Sequence, residues 1–344
     1  MSSEQTCLSI GILGTASIAT RSILPALQRM QGTFKVHAIA SRSLSKAEAV
    51  AADTGAVAYG SYEELLEDPA IDAVYIPLPT GLHSQWVLRA LAAGKHVLCE
   101  KSLGGTLEET REMVALASER GLALVENFQF RFHSQLQTLR QFVGLDGTEG
   151  RIGEVRSVRC SFGFPPFPDA DNIRYSSELG GGALLDAGAY TLKISTLLLG
   201  PSLQVQAASL ITDPALGVDL HGSGFLLDPE TGLASHVAFG FDHFYQCGVE
   251  IWGTKGRLRT NRLFTARADF SPIFELETQE GGLETVSLPP DDHFVNMLTY
   301  FHSLCSTASH EARALEYRET VLQATLLQSF RDLANAVPKT NALT

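Results

Sequence analysis

The stretch Ile10–Pro25, IGILGTASIATRSILP, constrains the fold of this chain more than any other segment. It begins as an apolar run typical of a buried strand, passes through small residues and continues with helical periodicity. Gly14, Ala16 and Ala19 have the spacing of a G-x-A-x-x-A turn, a dinucleotide-binding fingerprint in which alanine replaces two glycines. Small residues let the backbone approach a pyrophosphate at a helix N-terminus. The alternative is an ordinary strand–turn–helix. The contacts expected here come from Gly14, Thr15, Ala16, Ser17 and Ile18.

Strand and helix patterns alternate over residues 8–126, which predicts a parallel sheet covered on both faces. We therefore expect a dinucleotide-binding domain over residues 1–126. Pro25 lies inside the first predicted helix and is expected to kink it. The predicted strands are Leu8–Leu13, Val36–Ala40, Ala73–Ile76, His96–Cys99 and Ala123–Glu126. The predicted helices are Ser17–Met30, Leu44–Thr54, Tyr62–Glu67, Leu82–Ala93 and Leu107–Arg120.

After about residue 150 the pattern changes to strands with few helices, which predicts an α+β domain with a mostly antiparallel sheet over residues 127–344. Its C-terminal helix is free to pack back on the first domain. The predicted strands are Val155–Phe164, Leu203–Leu210, Leu233–Phe241, Gln246–Trp252, Arg257–Thr260 and Phe274–Glu277. The predicted helices are Ala183–Leu199, His293–Cys305 and Ala312–Asn335.

The composition excludes several classes of protein. A formal net charge of −12 over 344 residues argues against nucleic acid as a partner, because phosphate binding needs a basic surface. No apolar run reaches the length of a membrane span, and the first residues, MSSEQT, do not resemble a signal peptide. The five cysteines are scattered without a C-x-x-C pair and the ten histidines form no H-E-x-x-H. These features predict a cytoplasmic protein with reduced thiols and no metal site.

The end of the second predicted strand carries Ser41, Arg42 and Lys46. An NAD-binding domain usually places a carboxylate there to hold the ribose hydroxyls. A carboxylate repels a 2′-phosphate, whereas a hydroxyl, a guanidinium and an ammonium bind it. The pattern therefore favours NADP(H), and the alternative is a solvated basic turn.

Two further segments follow predicted strands at the carboxyl edge of the sheet, where open α/β sheets bind ligands. The first is Pro77–His83, PLPTGLH, and the second is Glu100–Ser102, EKS. Lys101 is placed to hydrogen-bond a ribose hydroxyl or a substrate oxygen, and its charge lowers the pKa of a neighbouring acid. By itself, His83 is better explained as a residue that starts a helix than as a catalytic residue. The candidate cofactor contacts at this edge are Pro77, Leu78, Thr80, His83, Glu100, Lys101 and Asn127.

A triple glycine, Gly180–Gly182, precedes an apolar helix that carries Asp186 and Tyr190. The glycines let the backbone approach a ligand closely. Asp186 and Tyr190 are four residues apart and share a helix face. An Asp among Ala, Leu and Ile needs a partner or a function, and the alternative to a functional role is a salt bridge, for example with Lys193.

These groups, in this order, resemble the Gfo/Idh/MocA family of oxidoreductases. The segments Glu126–Gln135, ENFQFRFHSQ, and Val249–Thr260, VEIWGTKGRLRT, add to the resemblance. It implies a Rossmann domain, a second domain with an open-faced sheet that binds substrate and builds a dimer or tetramer, and hydride transfer between nicotinamide and a carbon bearing a hydroxyl or carbonyl. The family lysine falls on Lys101, and its Asp-x-x-x-His pair falls on Asp186 and Tyr190.

Two residues depart from the family pattern. Ser102 stands where the family usually has proline, so a backbone restraint after Lys101 is absent. Tyr190 stands where that pair has a histidine. A tyrosine at this position is similar to glucose–fructose oxidoreductase, dihydrodiol dehydrogenase and the ketoreductases of nucleotide-linked deoxysugars. The segment Ser161–Tyr175, SFGFPPFPDADNIRY, resembles those ketoreductases most. It supplies Phe164, Arg174 and Tyr175 as candidate substrate contacts.

The resemblance implies an NADP(H)-dependent reductase of a keto-sugar. Tyr190 is expected to give a proton to the carbonyl oxygen, Lys101 to orient that oxygen, and Asp186 to hold a substrate hydroxyl or the lysine. The first alternative is oxidation of a trans-dihydrodiol or an aldose. The second is a sensor or scaffold that binds NADP(H) without catalysis.

In the second predicted sheet, apolar residues occupy both the odd and the even positions of the strands, so both faces of the sheet are expected to be apolar. Val205 and Ala207 alternate with Ala208 and Leu210 in one strand. Because monomers rarely expose a large apolar patch, we expect this face to be buried in a homodimer or homotetramer. The alternative is that loops or the C-terminal helices of the same chain cover it.

Overall fold

The computed structural model describes residues 7–169, 171–306 and 310–336. The chain forms two compact units. The first unit contains Met1–Phe128 and Phe294–Val321, and the second contains Gln129–His293 and Leu322–Thr344.

The first unit is built on a six-stranded parallel sheet in the order β3-β2-β1-β4-β5-β6. The order reverses between β1 and β4, and open α/β sheets bind ligands at such a reversal. The predicted parallel sheet is thereby confirmed. The strands are β1 Leu8–Leu13, β2 Phe34–Ala40, β3 Val57–Tyr59, β4 Ala73–Ile76, β5 His96–Glu100 and β6 Leu124–Asn127. The helices are α1 Leu24–Arg29, α2 Leu44–Ala51, α3 Tyr62–Glu67, α4 Thr80–Ala92 and α5 Leu107–Arg120.

Local sequence signals explain where these helices begin and end. The Thr106 hydroxyl accepts from the backbone of Glu109, whose carboxylate accepts from the backbone of Thr106, which is a capping box for α5. Gly121 ends that helix in the left-handed conformation. Ser61 caps α3 through the backbone N–H of Glu64.

Two features of this unit differ from the sequence-based expectation. Strand β3 was not predicted, because it has three residues and none of them is fully buried. The first predicted helix contains a π-helical turn over Ala19–Ile23, directly before α1. Pro25 lacks the amide hydrogen that a regular helix would use at its position, and the wider turn precedes the proline.

The second unit contains an eight-stranded sheet in the order β14-β13-β12-β11-β7-β10-β9-β8. Among the strand pairs described in this sheet, only β7 and β10 run parallel. The prediction of a mostly antiparallel sheet is therefore confirmed. The helices are α6 Ser134–Val143 and α7 Ala189–Leu199, with a π-helical turn over Leu184–Gly188 before α7. The strands are β7 Val155–Gly163, β8 Gln204–Asp213, β9 Val218–Leu227, β10 Ala234–Gly240, β11 Gln246–Gly253, β12 Gly256–Thr260, β13 Ile273–Thr278 and β14 Gly282–Ser287.

The sequence did not indicate β9 and β14. In β9 two glycines and several polar residues interrupt the apolar alternation. In β14, at the edge of the sheet, nearly every residue is exposed, so there is no buried face for a pattern to reveal.

The two faces of this sheet differ in composition. Val237 and Phe239 are buried on one face, where α7 contacts β7 and β10. On the other face Ala238 is exposed, and the adjacent row contains His236, Arg159 and Glu250 in register. In β7, β10 and β11 this face therefore carries small and charged residues beside the exposed Trp252, and it is less apolar than expected.

Two further helices follow the second sheet in the part of the chain that the structure describes, α8 His293–Ser306 and α9 His310–Ala336. In the first unit, Phe301 of α8 stacks on Phe34 of β2 with ring centroids 6.5 Å apart. In the second unit, Phe330 of α9 packs on Phe239 at 5.6 Å. None of the helices in the described part of the chain is long and apolar enough to cross a membrane.

Candidate active site

The turn after β1 has the geometry of a phosphate cradle. Gly14 has φ +116°, a conformation that side chains rarely adopt, and a Cβ there would lie 3.0 Å from the Leu78 Cδ2 atom. The Gly14 amide donates to the carbonyl of Ala40 at 2.8 Å. Helical geometry then begins at Ser17, which is exposed. This turn therefore presents a helix N-terminus that suits an anion, as a bound dinucleotide requires.

Three residues predicted to bind the adenosine end follow β2. Ser41 is buried, and its hydroxyl accepts from the amide of Ser43 at 3.3 Å. Arg42 lies against the Tyr62 hydroxyl, where its charge opposes the rise in the tyrosine pKa that burial causes. Lys46 is exposed on the first turn of α2. The end of β2 thus carries two cations, which fits a phosphate.

His83 links the loop after β4 to the loop after β5. Its side chain is fully buried, with Nδ1 2.8 Å from the carbonyl oxygen of Ser102 and Nε2 2.7 Å from that of Leu78. Burial lowers the pKa of this imidazole, and the two carbonyls oppose that effect. Because both ring nitrogens face protein carbonyls, we expect His83 to position these loops. Its role as a direct cofactor contact stays a prediction.

Glu100 and Asn127 lie together at the ends of β5 and β6. The Glu100 Oε1 atom accepts from the Tyr75 hydroxyl at 2.6 Å and from the Asn127 Nδ2 atom at 2.7 Å. Burial raises the pKa of the Glu100 carboxyl, while these hydrogen bonds and Lys101 oppose the rise. Tyr75 was missed, since it looks like a core residue in the apolar strand AVYI.

The Asn127 side chain is fully buried, and its Oδ1 atom has no hydrogen-bond partner in residues 7–169, 171–306 and 310–336. A buried acceptor without a donor is costly. At the carboxyl edge of the sheet it fits an N–H donor from a bound ligand, such as an amide group. Together with the Gly14 turn, it shows that the residues present suit a nicotinamide dinucleotide.

Lys101 follows β5 and is half-buried. The peptide bond to Ser102 is cis. Ser102 is 1% exposed, and its carbonyl faces His83. The next amide, that of Leu103, donates to Glu126 at 2.8 Å. This loop is therefore held by His83 and Glu126, which the sequence did not indicate.

In the second unit, Tyr190 lies in an aromatic pocket at the start of α7. Its ring centroid is 5.7 Å from that of Phe130, 5.1 Å from Phe162 and 5.5 Å from Phe264. Its hydroxyl is 3.4 to 3.5 Å from the amide group of Gln129, and the residue is 7% exposed. Sequence patterns missed these four neighbours because they are distant in the chain or look like ordinary core residues.

Asp186 forms an ion pair with Arg174. The Arg174 Nε atom donates to the Asp186 Oδ2 atom at 2.6 Å, and its guanidinium lies 4.7 Å from the centroid of the Phe167 ring. The structure thus brings together two residues that the sequence proposed separately. A pair between Asp186 and Lys193, the alternative to a functional role, stays a prediction.

The triple glycine packs against this chain's own backbone. A Cβ on Gly181 would collide with the carbonyl of Arg174, and one on Gly182, at φ +111°, would collide with Asp219. The Asp219 carboxylate accepts from the amide of Leu184 at 2.6 Å. We expected these glycines to approach a ligand. Instead they let the segment of Arg174 lie beside the first turn of the helix that carries Asp186.

The other two candidate substrate residues belong to an aromatic cluster with Phe167 and Phe241. Phe164 lies 5.3 Å from both of these rings, and Tyr175 lies 6.1 Å from Phe167 and 6.3 Å from Phe241. The Tyr175 hydroxyl also accepts from the amide of Phe167 at 3.0 Å. In the described residues this cluster anchors the segment that carries Arg174.

The chain belongs to the Gfo/Idh/MocA family of oxidoreductases. The model of the oxidoreductase family with an NAD-binding Rossmann fold matches residues 8–128. The model of the GFO/IDH/MocA C-terminal domain matches residues 137–259. The resemblance seen in the sequence is thereby confirmed, and the chain is an oxidoreductase.

Individual relatives share most of their length with this chain. It is 40% identical over 336 residues, 96% of each protein, to dTDP-3,4-didehydro-2,6-dideoxy-alpha-D-glucose 3-reductase of Streptomyces violaceoruber. It is 36% identical to D-xylose 1-dehydrogenase (NADP(+)) 2 of Haloferax volcanii, over 91% of this chain and 90% of that protein. The crystal structure of a 3-ketoreductase from Actinomadura kijaniata with NADP and TDP-benzene has a TM-score of 0.88 and 37% identity, over 95% of this chain and 98% of that one.

Proposed function

We propose that this protein is an NADPH-dependent reductase that acts on the 3-keto group of a deoxysugar joined to thymidine diphosphate. The observation that carries this proposal is the 40% identity to a dTDP-keto-sugar 3-reductase over 96% of both chains. The family resemblance implies a keto-sugar reductase, and the segment Ser161–Tyr175 resembles the ketoreductases of nucleotide-linked deoxysugars. The relatives supply that substrate class.

The proposed cofactor is NADPH, which supplies a hydride to the carbonyl carbon when it is bound. The Gly14 turn would hold the pyrophosphate at the helix N-terminus. Ser41, Arg42 and Lys46 would hold the 2′-phosphate at the end of β2. The related 3-ketoreductase was crystallised with NADP, which supports this choice.

The proposed proton donor is the Tyr190 hydroxyl. A tyrosine has an ordinary pKa of about 10, so it retains its proton at neutral pH and serves as an acid. It would pass that proton to the carbonyl oxygen as the carbon gains the hydride, which leaves an alcohol, and water would return a proton to the tyrosine. Packing among three phenylalanine rings fixes its direction. We assign to Lys101 the orientation of the substrate oxygen.

We also propose that the protein acts as a dimer or a tetramer in the cytoplasm. The exposed sheet face carries Arg159 and Glu250 in register, so a two-fold copy would meet it with complementary charges. Trp252, covered by the Arg159 guanidinium at 3.7 Å, is 39% exposed there. The five cysteines are free thiols, which is consistent with a reducing compartment.

The proposal is tested by NADPH oxidation with a substrate panel. A dTDP-linked 3-keto deoxysugar is expected to be reduced with a higher kcat/KM than the corresponding free keto-sugar. D-xylose with NADP⁺ tests the alternative that the xylose dehydrogenase relative favours, and a trans-dihydrodiol tests the other oxidation. NADPH binding without turnover of any of these compounds would instead indicate a sensor.

A further inference from the structure

Arg174 is held in place by its own backbone. It lies in a short 3-10 turn, Ile173–Tyr175, and the Asn172 side chain accepts from its amide at 3.1 Å. The Arg174 carbonyl accepts from the amide of Gly182 at 3.0 Å. The same glycine loop leads into the turn that carries Asp186. The position of this arginine is therefore fixed on the side of the helix that also carries Tyr190.

The guanidinium group is also fixed, but only along one edge. Its Nε atom is bound by Asp186 at 2.6 Å, and its plane lies by the Phe167 ring. An arginine has five N–H donors in a planar fork. Among the residues that the structure describes, the two terminal nitrogens of Arg174 make no hydrogen bond, and the side chain is 37% exposed. A preformed pair of donors thus faces outward.

The spacing from Arg174 to Tyr190 suits a nucleotide-linked sugar. Its partner Asp186 lies in the π-helical turn Leu184–Gly188, four residues before Tyr190, which is about one turn of the helix. In such a substrate, C2, C1 and the glycosidic oxygen separate the C3 carbonyl from the first phosphorus. This span is comparable with one helical turn. A carbonyl at Tyr190 would therefore place the diphosphate near the guanidinium.

We propose that the terminal nitrogens of Arg174 bind the diphosphate of the substrate. The inference rests on the proposed function and adds the residue that recognises the nucleotide-linked form. Arginine is always charged and matches phosphate oxygens with two parallel hydrogen bonds. Asp186 holds the opposite edge, and Phe167 orients the plane of the fork. Asp186 then acts on the substrate through Arg174 as a positioning residue.

The test is calorimetric titration of dTDP and of thymidine into protein saturated with NADP⁺. Wild type is expected to bind dTDP more tightly than thymidine. Arg174→Ala is expected to weaken dTDP binding about tenfold or more, because a charged hydrogen bond is lost, and to leave thymidine binding unchanged. Arg174→Lys keeps the charge but lacks the planar guanidinium, so its affinity for dTDP should lie between those of wild type and Arg174→Ala. The control Arg267→Ala removes an exposed arginine that pairs only with Asp269 among the described residues, and it should behave as wild type.

Arg174→Ala also leaves Asp186 without this partner, so repulsion alone would weaken dTDP binding. The double variant Arg174→Ala/Asp186→Asn removes that charge and should show the same loss. Unchanged dTDP affinity in both variants, or wild type that does not prefer dTDP to thymidine, would overturn the assignment. Thymidine affinity reports whether each variant is folded. NADPH oxidation by wild type tests the proposed function separately, so the two proposals fail in different ways.

Discussion

The Nδ1 atom of His83 lies 2.8 Å from the carbonyl oxygen of Ser102, so a residue of α4 holds the loop that carries Lys101. Its other ring nitrogen lies 2.7 Å from the carbonyl of Leu78. Leu78 in turn touches the Gly14 turn. One buried imidazole therefore connects the loops after β4 and β5 to the turn after β1.

Replacing His83 by alanine should destabilise the first unit. The change removes both ring contacts. Because a neutral imidazole donates from only one ring nitrogen, it leaves one carbonyl without its donor, which costs about 1–3 kcal/mol. Urea unfolding should show a lower midpoint, and NADPH should bind more weakly. His236→Ala, at an exposed position on β10, is the control. Unfolding and NADPH binding like those of wild type would mean that His83 does not hold these loops.

Arg42→Ala tests the choice of NADP(H) over NAD(H). Loss of one charged contact to a phosphate should raise the dissociation constant for NADPH about tenfold or more and leave that for NADH nearly unchanged. Lys35→Ala, an exposed cation on β2, should alter neither. The measurement is fluorescence titration with both cofactors. Equal affinity of wild type for NADH and NADPH would contradict the assignment.

The stability of the fold should decrease as the pH falls below neutrality. Burial and the charge of His133 lower the pKa of His293 to about 4, whereas a histidine in the unfolded chain titrates near 6.5. The folded state therefore keeps His293 neutral, and the unfolded state gains a proton as the pH falls through about 6.5. This difference removes about 2–3 kcal/mol by pH 4.5.

Urea unfolding at pH 7.5 and pH 4.5 measures this loss. His293→Gln should be less stable than wild type at pH 7.5 and should lose less on acidification, whereas His236→Gln should keep the wild-type dependence. An equal pH dependence in wild type and His293→Gln would show that another group is responsible.

Ala238→Arg tests assembly through the exposed sheet face. Ala238 is an exposed small residue on that face, in register with Ser161, so a bulky cation should prevent close approach of a second copy. Sedimentation at micromolar concentration should give a dimer or tetramer for wild type and a smaller species for the variant. Ala268→Arg places the same charge on an exposed loop position and should not dissociate the assembly. A single wild-type species at 37.1 kDa would contradict the proposal.

The sequence predicted most of the first sheet, because its buried strands form short apolar runs with clear turn signals. Strands β1 and β4 match the expectation residue for residue. The sequence could not predict contacts between residues distant in the chain, such as that of Arg174 with Asp186 or that of Tyr75 with Glu100. These pairs form only through tertiary packing, and the type of a residue does not indicate which distant residue it will contact.

The triple glycine shows a different limit. A run of three glycines indicates that another group approaches the backbone closely, but it does not indicate whether that group is a ligand or another part of the chain. In the structure the neighbours are the Arg174 backbone and Asp219. The composition of the second sheet was misjudged for a related reason. Periodicity assigns residues to alternate faces, and only the paired strands show that Arg159, His236 and Glu250 share the exposed one.

The central claim is that Tyr190 protonates the oxygen of a keto-sugar, and the most direct test compares wild type with Tyr190→Phe in single-turnover reduction of a dTDP-linked 3-keto deoxysugar by NADPH. The variant keeps the ring among Phe130, Phe162 and Phe264 and removes only the hydroxyl. We predict a fall in rate of about 10²- to 10⁴-fold, with unchanged NADPH binding and thermal stability. A variant that retains most of the wild-type rate would contradict the claim and assign the proton to Lys101 or to water.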